Sequence, residues 1–400
     1  MQSQRDLFLL YAARAARNFG DGFAVIVLPA YLAEIGLGPA EIGVIAAAAL
    51  LGSALLTLGM GFLAARFELR TLLLAGAFLM AATGLAVPNL VGVVAIAIAV
   101  FIGTMNPTTG DVGVLVPIEH AVLAREAGDE QRTKIFARYS LIGAIATAAG
   151  ALAAATPSLL QSIGIAPRIS LQAMFYAYAG LGLASATFYY FLPKSKTVEQ
   201  RKASAPLGPS RAVIYRLAAL FSLDAFAGGF AVQSLVALWL FQRFDLSLSA
   251  ASLFFFWSNV LTAFSYPVAA RLAKRFGLVN TMVFTHIPSS VCLILAALTP
   301  QLWLVMALLL VRSALSQMDV PTRTSYVMAV VTPEERPMAA SVTAVPRSLA
   351  SSLSPALAGF LLAMPFSGLP LVVCGALKIV YDFSLLYSFR HIKPPEESAL

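Results

Sequence analysis

The chain consists of long apolar runs separated by short polar segments, and this pattern decides the class of fold. Hydrophobic residues make up 59% of the sequence and charged residues 12%, compared with about 45–50% and about 25% in soluble domains. A soluble chain of 400 residues has no means of hiding that much apolar surface from water. The sequence therefore predicts a multi-pass protein that is surrounded by the lipid bilayer.

The apolar runs have the length and the composition of membrane helices. A helix needs about 20 apolar residues to cross the hydrocarbon core, whereas barrel strands alternate over segments of about ten residues. These runs are continuous and rich in Ala, Leu and Gly, so we expect an all-α membrane protein with 12 transmembrane helices. The predicted spans are 7–34, 40–65, 70–88, 90–124, 135–156, 169–192, 213–242, 248–270, 278–299, 301–331, 338–364 and 368–389.

Basic residues indicate how the spans are oriented, because loops rich in Lys and Arg stay in the cytoplasm. They cluster before the first span, after the second, fourth, sixth and eighth spans, and after the last span. We therefore expect both termini in the cytoplasm and the protein in the inner membrane. The net charge of +8 is spread over these clusters and forms no single patch, which argues against a nucleic-acid partner.

Landmark residues recur at a nearly constant offset along the chain. The segment 22–25 reads GFAV and reappears at 229–232, and Asp111-Val112 reappears as Asp319-Val320. The offsets are 207 and 208 residues, which indicates a duplicated six-helix unit. We therefore predict two pseudo-symmetric six-helix bundles at 1–192 and 213–400. The polar segment 193–212 is predicted to be a cytoplasmic linker between them.

One loop motif occurs in both halves. Residues 61–70 read GFLAARFELR and residues 270–277 read ARLAKRFG. These segments resemble the loop between the second and third spans of the major facilitator superfamily, and the resemblance extends over almost the whole chain. It implies the two-bundle fold, a transport function and a cytoplasmic gate at Gly61, Arg66, Glu68, Arg70, Arg271, Arg275 and Gly277. The usual acid is replaced by Ala65 and Lys274, so a latch of this kind would depend partly on Glu68.

Several ionisable residues fall inside predicted spans, where each costs about 2.5–3.5 kcal/mol on insertion scales and usually faces a partner or a water-filled cavity. The spacing of Arg312, Asp319 and Arg323 predicts that all three share one helical face, with Asp319 and Arg323 as an ion pair. The resemblance implies that spans one, four, seven and ten line a central cavity. We expect one more acidic and one more basic wall, formed by Asp21, Asp111, Glu119, Asp224, Gln233, Arg312, Asp319 and Arg323.

Three functions are consistent with these features. The first is a secondary active transporter that exports a small organic solute by proton antiport, since the chain resembles bacterial exporters. The second is uptake of an organic anion that Arg312 and Arg323 recognise. The third is a membrane sensor or enzyme, which the absence of nucleotide-loop, zinc and nucleophile-elbow motifs disfavours. We expect no cofactor and no metal, and a protein that works as a monomer.

Overall fold

The computed structural model describes residues 2–64, 66–108, 113–126, 132–193, 207–332 and 334–391. Within these ranges the regular structure is helical, with no strand. The helices are α1 (Gln2–Glu34), α2 (Pro39–Leu63), α3 (Leu69–Ala86), α4 (Val93–Ile102), α5 (Val116–Glu126), α6 (Arg132–Ala153), α7 (Thr156–Ser162), α8 (Pro167–Tyr190), α9 (Arg211–Gly229), α10 (Gln233–Phe244), α11 (Leu248–Phe276), α12 (Leu278–Leu298), α13 (Leu302–Leu315), α14 (Asp319–Ala329), α15 (Arg336–Leu362) and α16 (Leu369–Phe389).

Each predicted span contains at least one of these helices, and the all-α class is confirmed. Eight segments of the described chain are long and apolar enough to cross a membrane, and α4 is a shorter apolar helix. Three of the predicted spans consist of two helices each. Span four is divided into α4 and α5, span seven into α9 and α10, and span ten into α13 and α14.

The sequence around these breaks explains them locally. Gly103, in extended conformation, ends α4, and Pro107 follows in the segment before α5. In span seven, α9 ends on the pair Gly228-Gly229, and glycine costs about 1 kcal/mol relative to alanine in a helix. In span ten, Pro321 has no N–H to donate and its ring clashes with the carbonyl four residues earlier. That carbonyl belongs to Gln317, which lies in the gap between α13 and α14.

The chain separates into two compact units. The first, unit 1, comprises Met1–Arg201 and Val232–Phe256. In it α1 packs along α6 and α8, and α3 packs along α8. The contact between α1 and α6 depends on glycine, because a Cβ atom on Gly22 would lie 2.2 Å from the Thr147 carbonyl oxygen. Likewise, a Cβ atom on Gly150 would lie 2.0 Å from the Phe19 carbonyl oxygen. Small residues of this kind let membrane helices approach closely.

The second unit, unit 2, comprises Lys202–Ala231 and Trp257–Leu400. Here α9 packs along α15 and α16, and α12 packs along α16, which repeats the pattern of unit 1 at the equivalent spans. Gly229 has the same role as Gly22, since its Cβ atom would lie 2.0 Å from the Ser354 hydroxyl oxygen. The pseudo-symmetric arrangement of six-span bundles is thus present in the packing. The domain boundaries at 192 and 213 stay a prediction, and residues 194–206 of the linker lie outside the described residues.

Candidate functional site

In unit 1, a buried carboxylate joins four helices. Glu119 lies on α5 with 0% of its surface exposed. Arg17 of α1 forms an ion pair with it, and the hydroxyl groups of Tyr139 on α6 and Tyr189 on α8 donate hydrogen bonds to it. The Arg17 Nε atom also donates to the Tyr189 hydroxyl at 3.0 Å. We call these four residues the Glu119 cluster. Each charge in it has an opposite charge or a hydrogen-bond donor as its neighbour, as burial in an apolar bundle requires.

A small cavity lies beside the Glu119 cluster. It has a volume of about 20 Å³ and is lined by Arg17, Asp21, Thr104 and Tyr178 among others. The Tyr178 hydroxyl donates to Asp21 Oδ1 at 3.0 Å. A polar cavity of this size has room for about one water molecule, whereas sites for organic molecules measure about 300–1,000 Å³. This cavity is therefore suited to hydrating Asp21 and is far too small for an organic solute.

Unit 2 contains a larger group of buried charges around Asp224 of α9, which is 3% exposed. Arg323 of α14 donates through Nη1 to Asp224 Oδ2 at 3.3 Å and to Asp319 Oδ2 at 2.7 Å. Lys378 of α16 donates through Nζ to Asp224 Oδ1 at 2.6 Å. Asp224 therefore holds one cation on each carboxylate oxygen, and these contacts connect α9 to both α14 and α16.

The network continues from Lys378 to a histidine. His286 of α12 is 2% exposed, and its Nε2 atom lies 3.2 Å from Lys378 Nζ and 3.8 Å from Asp224 Oδ1. Its other ring nitrogen, Nδ1, lies 2.9 Å from Oδ1 of Asp382, which is fully buried on α16. We call the six residues Asp224, Asp319, Arg323, Lys378, His286 and Asp382 the Asp224 cluster.

Each cluster contains an ion pair between the first and fourth spans of its unit, but the acidic and basic residues exchange places between the two units. In unit 1 an arginine on the first span, Arg17, pairs with Glu119 on the fourth. In unit 2 Asp224 on the seventh span, 207 residues after Arg17, pairs with Arg323 on the tenth. The sequence predicted an acidic and a basic cavity wall, but these charges are balanced within each unit by direct ion pairs. Whether they face a common cavity stays a prediction.

The predicted cavity residues fall into three groups. Glu119 belongs to its cluster, Asp21 lies beside it, and Asp224, Asp319 and Arg323 belong to the other cluster, with the Asp319–Arg323 pair at the predicted spacing. The remaining three stand apart from this grouping: Asp111 lies outside the described residues, Gln233 begins α10 and groups with unit 1, and Arg312 lies on α13.

The placement of Arg312 corrects the expectation of a single charged face. Its helix ends at Leu315, and α14 starts anew at Asp319, so the spacing of seven residues does not align Arg312 with Asp319 on one helix. The electrostatic neighbours of the Arg312 guanidinium are the thiols of Cys374 and Cys292. Both cysteines are free thiols.

The predicted gate residues lie at helix ends. In the first half, Gly61 is exposed near the end of α2, Arg66 is exposed in the turn after it, and Glu68 precedes α3 without a capping hydrogen bond from its side chain. Arg70 stacks over the ring of Tyr190 at 4.9 Å.

The second copy of the motif, residues 270–277, occupies the last turns of α11 and the glycine that follows it. Arg271 and Arg275 are exposed, and Arg275 lies over the ring of Phe276 at 5.3 Å. Gly277 has φ of 86°, a left-handed conformation that explains the glycine at this position. The gating role of these residues stays a prediction.

Sequence reasoning missed half of the Asp224 cluster. Lys378 and Asp382 occupy span twelve at a spacing of four residues, and His286 lies in the middle of span nine. All three interrupt apolar runs, so the rule that ionisable residues in spans need a partner applies to them as well. They were overlooked because the family resemblance directs attention to spans one, four, seven and ten. Tyr139 and Tyr189 gave no comparable signal, because tyrosine is common in membrane helices.

Comparisons with known proteins agree on the kind of fold. The profile of the family described as Major Facilitator Superfamily matches residues 10–241 and 217–400. The uncharacterized membrane protein YJR124C of Saccharomyces cerevisiae is 24% identical over 424 aligned positions, which cover 97% of this chain and 94% of the yeast protein.

Solved structures of transporters superpose over nearly the whole chain. The nucleoside transporter NupG has a TM-score of 0.74 at 15% identity, covering 96% of this chain and 100% of NupG. A D-xylose-proton symporter has a TM-score of 0.72 at 16% identity, covering 98% of both chains. The human organic anion transporter MFSD10 has a TM-score of 0.63 at 14% identity, covering 96% of this chain and 100% of MFSD10. At such identities the likeness concerns the fold alone.

Proposed function

The chain belongs to the Major Facilitator Superfamily of membrane transporters, and we propose that it moves a small organic solute by proton-coupled secondary active transport. The family and its solved relatives are transporters, so the sensor or enzyme alternative is set aside. Two six-helix bundles that rock about a site near the bilayer midplane expose that site to each side in turn. We further propose that the protein works as a monomer in the inner membrane with both termini in the cytoplasm.

The observation that supports proton coupling is the Asp224 cluster. Three carboxylates, an arginine and a histidine are buried together beside the partly buried Lys378 in an apolar bundle, where each buried charge costs several kcal/mol to desolvate. Well-packed apolar side chains of similar size would hold such helices together at least as well. A chain that keeps this cluster is therefore using it for more than stability, and buried ionisable residues in membrane helices mark substrate or ion pathways.

The cluster also provides the exchange of partners that coupling requires. Asp224 binds Arg323 through one oxygen and Lys378 through the other, with His286 next to the same oxygen as Lys378. Adding a proton to any acid or to the histidine changes which of these contacts is favourable. The residues of the Asp224 cluster lie on α9, α12, α14 and α16. Such an exchange of partners therefore changes the contacts between these helices.

The proposed direction is export, which follows the sequence resemblance to bacterial exporters. A symporter is among the structural relatives, so the direction needs its own measurement. Uptake of an organic anion is the second candidate, and Arg312 favours it, since the electrostatic neighbours of its guanidinium among the described residues are two thiols. Arg323 is engaged by Asp224 and Asp319, so a substrate anion there would have to displace one of them.

The first experiment is a search for the solute. The purified protein is screened for thermal stabilisation by nucleosides, pentoses and organic anions and cations at about pH 6 and about pH 8, on either side of the ordinary pKa of histidine. A ligand of the folded state raises the melting temperature by mass action. We expect at least one hit whose stabilisation changes with pH. No hit in any class at either pH contradicts a small-organic-solute transporter.

The second experiment tests coupling with the solute found. Proteoliposomes are loaded on one side and given a pH gradient of either sign, which also reports the direction. We expect Asp224→Asn and Asp319→Asn to abolish gradient-driven accumulation. The matched control is Asp245→Asn, because Asp245 is exposed in the loop after α10 and asparagine tolerates its positive φ of 48°. Full accumulation in both cluster variants rejects the coupling role. In parallel, loss of affinity in Arg323→Lys would favour the organic-anion alternative, and unaltered affinity would reject it.

A further inference from the structure

We propose that His286 is the proton-binding site of unit 2, and that a proton on its Nε2 atom takes the place of Lys378 at Asp224. This deepens the proposed function, because it names the group that carries the coupling ion. The residue lies on span nine, outside the four spans that the family resemblance assigns to the cavity. The inference depends on three contacts of His286, all inside unit 2.

The neighbours of the ring determine which nitrogen carries hydrogen. Asp382 is a carboxylate that only accepts hydrogen bonds, and it lies 2.9 Å from Nδ1, so Nδ1 carries the hydrogen. Lys378 carries an ammonium group that only donates, and it lies 3.2 Å from Nε2. Nε2 is therefore the bare nitrogen in this arrangement. The ring is neutral and is held by one acceptor and one donor.

Protonation of Nε2 is incompatible with these positions. The new N–H group would point at the Lys378 ammonium 3.2 Å away, which places two donors with like charge in contact. Asp224 Oδ1 is an acceptor that lies 3.8 Å from Nε2, and Lys378 Nζ already donates to it at 2.6 Å. When a hydronium ion from the solvent transfers its proton to Nε2, one O–H bond breaks, one N–H bond forms and a water molecule is left. His286 then displaces Lys378 and donates its new N–H to Asp224 Oδ1.

The surrounding charges reinforce this exchange. The Tyr381 ring packs edge-on against the His286 ring, with 6.0 Å between the ring centroids. Further titratable groups interact electrostatically with members of the cluster or with these neighbours: Asp319, Arg323 and Arg347 with Tyr381, Cys374 with Lys378, and Arg312 with Cys374.

With the histidine neutral, the three acids Asp224, Asp319 and Asp382 already lie among four cations, Arg323, Lys378, Arg347 and Arg312. A proton on His286 adds a further positive charge to this group. Release of Lys378 from Asp224 relieves that excess and loosens the contact between α9 and α16.

The test observes the proton itself and needs no solute. Full-length protein with ¹⁵N-labelled histidine is purified, and the signals of His286 are assigned by their absence in His286→Gln, since the chain has only three histidines. At basic pH we expect hydrogen on Nδ1 and none on Nε2. On acidification through about pH 8 to 5, Nε2 should gain a proton. In Lys378→Met, which removes the competing charge, this should occur at a higher pH. Lys274→Met is the control, because Lys274 is exposed near the end of α11, and in this variant Nε2 should gain its proton at the same pH as in the wild type.

Hydrogen on Nε2 at basic pH, no protonation across this range, or the same protonation pH in Lys378→Met and wild type would each overturn the inference. If Lys378→Met does not fold, Lys378→Gln replaces it, and the tautomer of the wild type remains decisive by itself. The outcomes separate this inference from the proposed function. A protein that transports with a pH gradient while His286 stays in one state refutes only the inference. A protein whose His286 titrates as expected but that moves no solute refutes only the proposed function.

Discussion

Removing the charge of Glu119 should destabilise unit 1 through the arginine that it leaves behind. In Glu119→Gln the side-chain volume is kept, but the charge that pairs with Arg17 is lost, and the Arg17 residue is only 6% exposed. Tyr139 donates to Oε2 and Tyr189 to Oε1 of Glu119, and an amide has only one oxygen, so one of the two hydroxyl groups also loses its acceptor. Breaking a buried pair from one side costs about 3–5 kcal/mol, and we expect a loss in this range. This corresponds to roughly a hundredfold to several-thousandfold change in the unfolding equilibrium.

A double-mutant cycle isolates the interaction free energy between Arg17 and Glu119. Unfolding is followed in mixed detergent micelles by fluorescence, for which Trp239 is a fully buried reporter in unit 1. We expect Glu119→Gln and Arg17→Met to be destabilising alone and less than additive together, since the double variant leaves no unpaired charge. Glu34→Gln is the control, because Glu34 is exposed near the end of α1 and should change stability by less than about 0.5 kcal/mol. Additive losses, or a Glu119→Gln loss no larger than the control, would refute the reasoning.

Two further predictions concern packing and pH. Gly22→Ala should lower stability by about 1–3 kcal/mol relative to the control Gly180→Ala. A Cβ atom on Gly22 would meet a carbonyl of α6, whereas a Cβ atom on Gly180 would meet open space. Equal stabilities of the two variants in the same unfolding assay would contradict the close helix contact. Glu335 accepts hydrogen bonds from the Ser210 hydroxyl and the Gly208 N–H, and these lower the pKa of its carboxyl group below the usual value. Its stabilising contribution is therefore present above the unfolded-state pKa and is lost as pH falls through the folded-state pKa. Thermal unfolding measured from neutral to acidic pH should lose stability less steeply in Glu335→Gln, and an unchanged acid slope would count against these contacts.

The sequence predicted the fold well because apolar length and the repeat are properties of the chain itself. Twelve runs of span length appear as helices or helix pairs, and the offset that matches Gly22 with Gly229 also matches their roles in helix packing. The Asp319–Arg323 pair followed from a spacing of four residues on one helix. Each of these features depends only on residues close in sequence or on a periodic pattern.

Contacts between helices distant in sequence could not be derived in the same way. The pairing of Arg17 with Glu119 depends on how α1 and α5 pack, and the link from Lys378 to Asp224 joins residues 154 positions apart. The spacing of Arg312 and Asp319 was interpreted as if α13 and α14 were one continuous helix. Prolines remain inside α1, α11, α12 and α15 without ending them, so a proline in an apolar run does not by itself locate a break. The position of Arg312 was misjudged for this reason.

The exchanged charges of the two clusters separate stability from coupling. An ion pair between the first and fourth spans of a unit is equally favourable with either residue as the cation, because the Coulomb energy depends on separation and surroundings. The two pairs differ in the side chains that surround them. Glu119 is surrounded by Arg17 and two tyrosines, none of which changes charge near neutral pH. Asp224 and His286 both contact Lys378, and histidine is the side chain whose charge ordinarily changes near neutral pH. We therefore expect neutralisation of Glu119 to act first on stability, and neutralisation of Asp224 to act first on the pH dependence of transport.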